Sequence, residues 1–101
     1  MKQINQNEFE NEIKEGITVV DFFATWCGPC KMLSPLLEQL SNEMPEVNFV
    51  KVDVDDNGEL AQRFGIMSIP CVFLFKDGQE VSHFVGYQPA EAIKDFIARA
   101  K

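Results

Sequence analysis

The chain has 101 residues, of which 46% are hydrophobic, 11% aromatic and 25% charged. That length and composition fit one domain, 1–101, with a core of its own, and exclude a disordered chain. Sixteen acidic against nine basic residues leave a net charge of −7, so neither nucleic acid nor an anionic membrane surface is an expected partner.

The first residues, Met1-Lys2-Gln3-Ile4-Asn5-Gln6-Asn7-Glu8, lack the apolar stretch of a secretory signal, which makes the cytosol the expected location. No apolar run reaches the ~18 residues of a spanning helix. Asn7, with Glu10 three residues on, predicts the cap of a short helix on which Phe9 and Ile13 share a face and which Gly16 ends. Ile17 to Ala24 is a nearly continuous β-branched and aromatic run, the pattern of a strand covered on both faces in a parallel sheet. Cys27-Gly28-Pro29-Cys30 follows at once. Leu33, Leu36, Leu37, Leu40 and Met44 then recur at helical spacing up to Pro45, with Pro35 inside the pattern predicting a kink rather than a break.

Val47 to Val54 reads as a second strand, joined to the first by a right-handed crossover. Asp56 and Glu59 predict a capping box for a short helix carrying Leu60 and Phe64 and closed by Gly65. Val72 to Lys76 and Val81 to Val85 flank Asp77-Gly78, a strong hairpin signal. Pro89 opens a last helix with Ile93, Phe96, Ile97 and Ala100 facing inward. The sum is an α/β fold whose mixed sheet is parallel in its first half and antiparallel in its C-terminal hairpin, with helices on both faces.

The chemistry concentrates at Cys27 and Cys30. Three cysteines are too few for a secreted disulfide scaffold, and a Cys-x-x-Cys in a reducing compartment points to catalysis or metal binding. Between a buried strand and a helix, the pair meets unpaired N–H groups and the positive end of the helix dipole, which favour a thiolate. Cys27, aimed outward past the helix end, is the expected nucleophile. Cys30, one turn inside, can resolve a mixed disulfide and leave a Cys27–Cys30 bond. Pro29 stiffens this short ring without costing an interior hydrogen bond.

Asp21, six residues upstream in the apolar strand, is a candidate acid/base for the Cys30 thiol, with a pKa raised by desolvation. Strand alternation could instead turn it to solvent. Lys51, between Val50 and Val52, is its natural cationic partner or else an exposed edge charge.

Trp26-Cys27-Gly28-Pro29-Cys30-Lys31, with Val20-Asp21-Phe22 before it and Ile69-Pro70 after it, resembles the thioredoxin family, and the likeness extends through Lys76-Asp77-Gly78 and Val85-Gly86. The resemblance implies a thioredoxin fold in which Cys27 is the nucleophile, Cys30 the resolving thiol and Asp21 the buried acid/base with Lys51 nearby. It implies a cis peptide at Pro70 and a flat docking surface for client disulfides made by Trp26, Gly28, Pro29, Ile69, Pro70 and Gly86. It also implies recycling by a thioredoxin reductase, so that FAD and NADPH belong to that partner and the chain itself carries no cofactor beyond its dithiol. Nothing in the chain demands more than a monomer.

Two positions depart from the common family pattern. Phe23 stands where many thioredoxins have a second tryptophan, and Cys71 where a threonine often follows the cis proline. Cys71 reads as a small buried hydrophobe or as a third, competing thiol; His83 reads as a surface strand residue. The resulting expectation is a general protein disulfide reductase. Three other readings stay open: a thiol oxidase or isomerase on the same fold, a non-catalytic binding subunit, and a zinc module that would have to recruit Cys71 and His83.

Overall fold

The computed structural model describes all residues, Met1–Lys101. Its five strands are β1 (Lys2–Gln3), β2 (Ile17–Phe23), β3 (Val47–Asp53), β4 (Cys71–Lys76) and β5 (Gln79–Val85). They lie in the order β1-β3-β2-β4-β5, with β1, β3 and β2 parallel and β4 and β5 antiparallel. The four helices are α1 (Phe9–Ile13), α2 (Gly28–Glu43), α3 (Gly58–Arg63) and α4 (Ala90–Ala98).

The central strand β2 explains the continuous apolar run, because both its faces are covered. Val19 joins Leu33, Leu37 and Leu40 of α2 and Ile93, Phe96 and Ile97 of α4 in one core. Val20 and Phe22 point the other way, into a second core with Phe9 and Ile13 of α1, Leu60 of α3, and Phe73 and Phe75 of β4. Side-chain alternation along the strands sorts residues between these two layers. The second core is aromatic: Phe64 sits 5.1 Å from Phe73, 5.3 Å from Phe9 and 5.8 Å from Phe75, ring centre to ring centre.

The hairpin is as expected at its turn, where Asp77 and Gly78 both take positive φ, 50° and 84°. Asp77 also fastens the tip to the end of α1, its Oδ1 accepting from the Gly16 amide at 2.8 Å and its own amide donating to the Gly16 carbonyl at 2.9 Å. The helix α2 runs through Pro35 as one element.

Local capping differs from the sequence expectation at two helices. At α1 the N-cap is Glu8 rather than Asn7 and has no side-chain cap bond; Asn5 Oδ1 accepts from the amides of Asn7 and Glu8, and Glu8 Oε1 accepts from the Asn5 amide, closing the turn that leads into the helix. At α3 the Asp56/Glu59 box does not form. Asn57 occupies the cap, its side chain donating to the Asp53 carbonyl and accepting from the Gln6 amide, while Gln6 Oε1 accepts from the Leu60 amide. The donor of α3 is satisfied from a distant loop, a contact that no local pattern encodes. The two-residue edge strand β1 was likewise not anticipated; Lys2 and Gln3 show no apolar alternation, and they pair with Val50 and Lys51 because the sheet edge is there to receive them.

Candidate active site

Cys27 is the N-cap of α2, with extended backbone at φ −86° and ψ 116°. Gly28 and Pro29 form the first helical positions, and Cys30 is the third. This places the Cys30 amide against Cys27 Sγ at 3.2 Å, so the sulfur occupies the position that a capping oxygen takes in other helices. The two cysteines are disulfide-bonded with their Cα atoms 5.3 Å apart. The expectation that Cys27 points outward needs correction for this oxidised form, since Cys27 and Cys30 are both buried, 4% and 3% exposed. What separates them is hydrogen bonding: the helix N-terminus serves the Cys27 sulfur.

Asp21 is buried at 1% exposure on the face of β2 that α2 covers, and neither carboxyl oxygen has a hydrogen-bond partner. Its solvent-exposed reading is thereby overturned, because α2 closes over this side of the strand. Loss of hydration pushes its pKa up to about 7 against the opposing pull of Lys51. Lys51 is the in-register neighbour of Asp21 on β3. The two do not form an ion pair; the Lys51 ammonium lies over the Phe23 ring, 5.3 Å from its centre, and acts on the carboxyl only through its field. Lys51 and Cys30 share a surface pocket of about 230 Å³ with Phe23, Ala24, Thr25, Lys31 and Ser34.

On the outer side, Trp26 is 68% exposed, which sets aside a role in the core. Its indole Nε1 donates to Asp55 Oδ2 at 2.8 Å. Gly28 and Pro29 are exposed beside it. The Ile69–Pro70 peptide is cis, Pro70 is buried, and Ile69 packs against the cluster of Ala24, Cys27 and Cys30. Gly86 donates its amide to the Pro70 carbonyl at 2.7 Å with φ +88°, a conformation that L side chains rarely adopt. Gly86 thus ties the end of β5 to the proline loop.

Three contributors escaped the sequence reading. Asp55 could have been suspected only as one acid among several after β3. Met67, 96% exposed, and Met32, 65% exposed, lie on the two segments that flank the dithiol, but their helical or loop spacing reads as ordinary. Cys71 takes the bland alternative: it is a free, buried thiol in the α1/α3 core, pushed up to about 11 by burial and by the nearby Asp21 charge. His83 is half exposed and stacks on Phe73 at 4.8 Å. No group of three or more His, Cys, Asp or Glu side chains gathers into a metal cluster, and no helix is long and apolar enough to cross a membrane.

A Cys-x-x-Cys closed at the N-terminus of the helix that follows the central strand, beside a buried carboxyl and a cis proline, defines a thiol–disulfide oxidoreductase. Comparison with known proteins agrees. The thioredoxin family model matches residues 1–99. Thioredoxin of Listeria monocytogenes is 45% identical over 98 residues, 96% of this chain and 95% of that one. Thioredoxin of Bacillus subtilis is 47% identical over 90 residues, 88% and 86% of the two chains. Among solved structures, Fasciola hepatica thioredoxin superposes with a TM-score of 0.91 at 41% identity over the full length of both chains. The oxidised form of mitochondrial thioredoxin 3 from Saccharomyces cerevisiae gives 0.89 at 39% identity, covering 97% of this chain and 93% of that one.

The chain belongs to the thioredoxin family, and it is a general thiol–disulfide oxidoreductase with Cys27–Cys30 as its redox centre.

Proposed function

We propose that the protein, as a single domain over 1–101, reduces client protein disulfides with Cys27 as nucleophile and Cys30 as resolving thiol. The observation that carries this assignment is the helix N-terminus, whose Cys30 amide bonds the Cys27 sulfur and favours its thiolate. In the reduced protein, Cys27 Sγ⁻ attacks one client sulfur, breaks the client disulfide and releases the other sulfur as a thiolate. Cys30 then loses its proton, attacks Cys27 Sγ and expels the second client thiolate. Two electrons leave the dithiol, and the Cys27–Cys30 disulfide remains.

Asp21 takes the Cys30 proton, and Lys51 tempers its basicity through space. A neutral carboxyl at low pH and a carboxylate at higher pH are both reachable with a pKa near 7. Trp26, Gly28, Pro29, Ile69, Pro70 and Gly86 receive the client: the exposed indole, the exposed helix start and the Ile69 packing beside the dithiol suit an extended segment paired through its backbone. The electrons are restored by a thioredoxin reductase that holds the flavin and nicotinamide, so this chain needs no cofactor of its own. The reading is completed by a monomer acting in the cytoplasm.

The deciding experiment is the equilibrium reduction potential of the Cys27/Cys30 couple in a dithiol buffer. A value near the roughly −270 mV of thioredoxins supports a reductant, whereas one near the roughly −120 mV of a strong oxidase reverses the direction. Loss of disulfide reduction in the Cys27→Ser variant is the matching requirement, and retention of activity there would remove the nucleophile assignment.

A further inference from the structure

An apolar cavity of about 180 Å³ opens on the face of the sheet opposite α2. The buried Cys71 and Phe73 of β4 form its floor, the half-buried Phe64 and Ile66 its walls, and the exposed Met67 and Val85 its mouth. Strand pairing brings them together: Cys71 lies opposite Val85 and Phe73 opposite His83, and alternate residues of a strand share a face. His83 also lines the cavity, with its ring stacked on Phe73 at 4.8 Å.

None of Trp26, Gly28, Pro29, Ile69, Pro70 and Gly86 lines this cavity, yet it continues the surface they form. Its lining residues Ser68 and Cys71 are the chain neighbours of Ile69–Pro70 on either side. Val85 precedes Gly86, whose amide is bonded to the Pro70 carbonyl. Ile69 itself packs against Ala24, Cys27 and Cys30. The proline loop therefore has the dithiol on one side and the cavity on the other.

Size and polarity fix the occupant. Pockets for whole small molecules run from roughly 300 to 1,000 Å³, so this one suits a single side chain. Its lining holds no carboxylate and no ammonium, and Phe64 to Phe75 includes no charged residue in a chain of net charge −7. Where a threonine would offer a hydroxyl, Cys71 offers a weakly polar sulfur, and burial pushes its thiol up to about 11, so the floor is neutral at pH 7. Met67 and Val85, 96% and 51% exposed, leave apolar surface in water at the mouth, and Met67 has the unbranched, adaptable side chain that follows different partners.

We propose that this cavity is a selectivity subsite, taking an aliphatic or aromatic side chain of the client two or three residues from the cysteine that meets Cys27, and rejecting Asp and Glu there. The inference rests on the reading of the protein as a reductant of client disulfides. An extended segment advances ~3.3 Å per residue, so two or three residues carry the client past the Ile69–Pro70 peptide to the mouth at Met67 and Val85. A carboxylate there would lose water without gaining a partner, which costs far more than an apolar group gains. Met67 and Val85 act by binding the client and take no part in the sulfur chemistry.

The test uses the reduced protein and symmetric disulfide-linked dimers of short glycine-serine peptides with one central cysteine, carrying Leu, Ala or Asp at each position from three before it to three after. Second-order rates of thiol release are referred to those with bis(2-hydroxyethyl) disulfide, which has no side chain to place in the cavity. At one position two or three residues from the cysteine, Leu is expected to react about tenfold faster than Ala, the low end of what an apolar pocket discriminates, and Asp more slowly than Ala. In a Met67→Ser, Val85→Thr double variant, whose changes lie at exposed positions, the Leu/Ala ratio falls to about twofold. Equal rates for Leu and Ala at all these positions, a ratio that survives in the double variant, or a preference for Asp overturns the subsite. Two results remove the client reading and the subsite with it: a parent protein that reduces the small disulfide but none of the peptides, or peptide reduction that persists in Cys27→Ser.

Discussion

Asp21 holds the largest unbalanced polar cost in the molecule. Its carboxyl is buried without a hydrogen bond, and its pKa rises from the ordinary 3.8 to about 7. Below pH 4 the group is protonated in both folded and unfolded chains and contributes nothing to pH dependence. Between pH 4 and 7 the unfolded chain ionises first, so stability falls as pH rises, and above 7 the full penalty is present. A shift of this size corresponds to about 4 kcal/mol. Asp21→Asn in the oxidised protein should therefore gain stability over the parent as pH is raised from 4 to 8, read from denaturant midpoints. A difference between the two proteins that does not change with pH would contradict the buried carboxyl. Cys27 and Cys30 were legible as residues because their chemistry is set within four positions of sequence. The burial of Asp21 was not, since an apolar run covered on both faces gives no sign of which side a polar residue takes. Asp55 needed Trp26 in place beside it before it had a role.

At the scale of elements, the ends of helices and strands are where local signals and tertiary contacts compete. The Asp77-Gly78 turn and the Pro89 start of α4 were read directly, because dihedral preference alone selects them. The starts of α1 and α3 do not follow the local pattern: Asn5 closes the turn that leads to Glu8 at the start of α1, and Gln6 reaches α3 only after the chain has folded back. Gly86 shows how one such end supports the site. Its φ of +88° and its amide bond to the Pro70 carbonyl hold β5 against the proline loop. Gly86→Ala should cost about 1–2 kcal/mol, the penalty of a left-handed backbone for an L residue, measured as a fall in the denaturant midpoint. Unaltered stability would mean that the loop relaxes at no cost and that Gly86 does not hold it.

Across the whole molecule the sheet separates two cores of different character, an aliphatic one under α2 and α4 and an aromatic one under α1 and α3. Phe73 is central to the second, 5.6 Å from Phe22, 5.1 Å from Phe64 and stacked on His83 at 4.8 Å. Phe73→Ala should destabilise the protein by about 3–5 kcal/mol, through lost burial and the cavity left behind. Val81→Ala, at a site 39% exposed, should stay within about 0.5 kcal/mol. Thermal or denaturant unfolding of the pair checks this, and similar losses at both positions would refute the division into core and surface. Apart from the edge strand β1, the sequence by itself determined the strand and helix succession, the mixed sheet and the redox dithiol, since periodicity, turn residues and the Cys-x-x-Cys spacing are properties of contiguous residues. Only the tertiary structure decided that Asp21 is buried and unpartnered, that Lys51 rests on Phe23 instead of bonding it, that Cys71 lies in the far core, and that Cys30 and Ser34 share a cavity. Those outcomes depend on which faces meet when α2 packs across the sheet, and long-range packing, unlike local pattern, cannot be read one segment at a time.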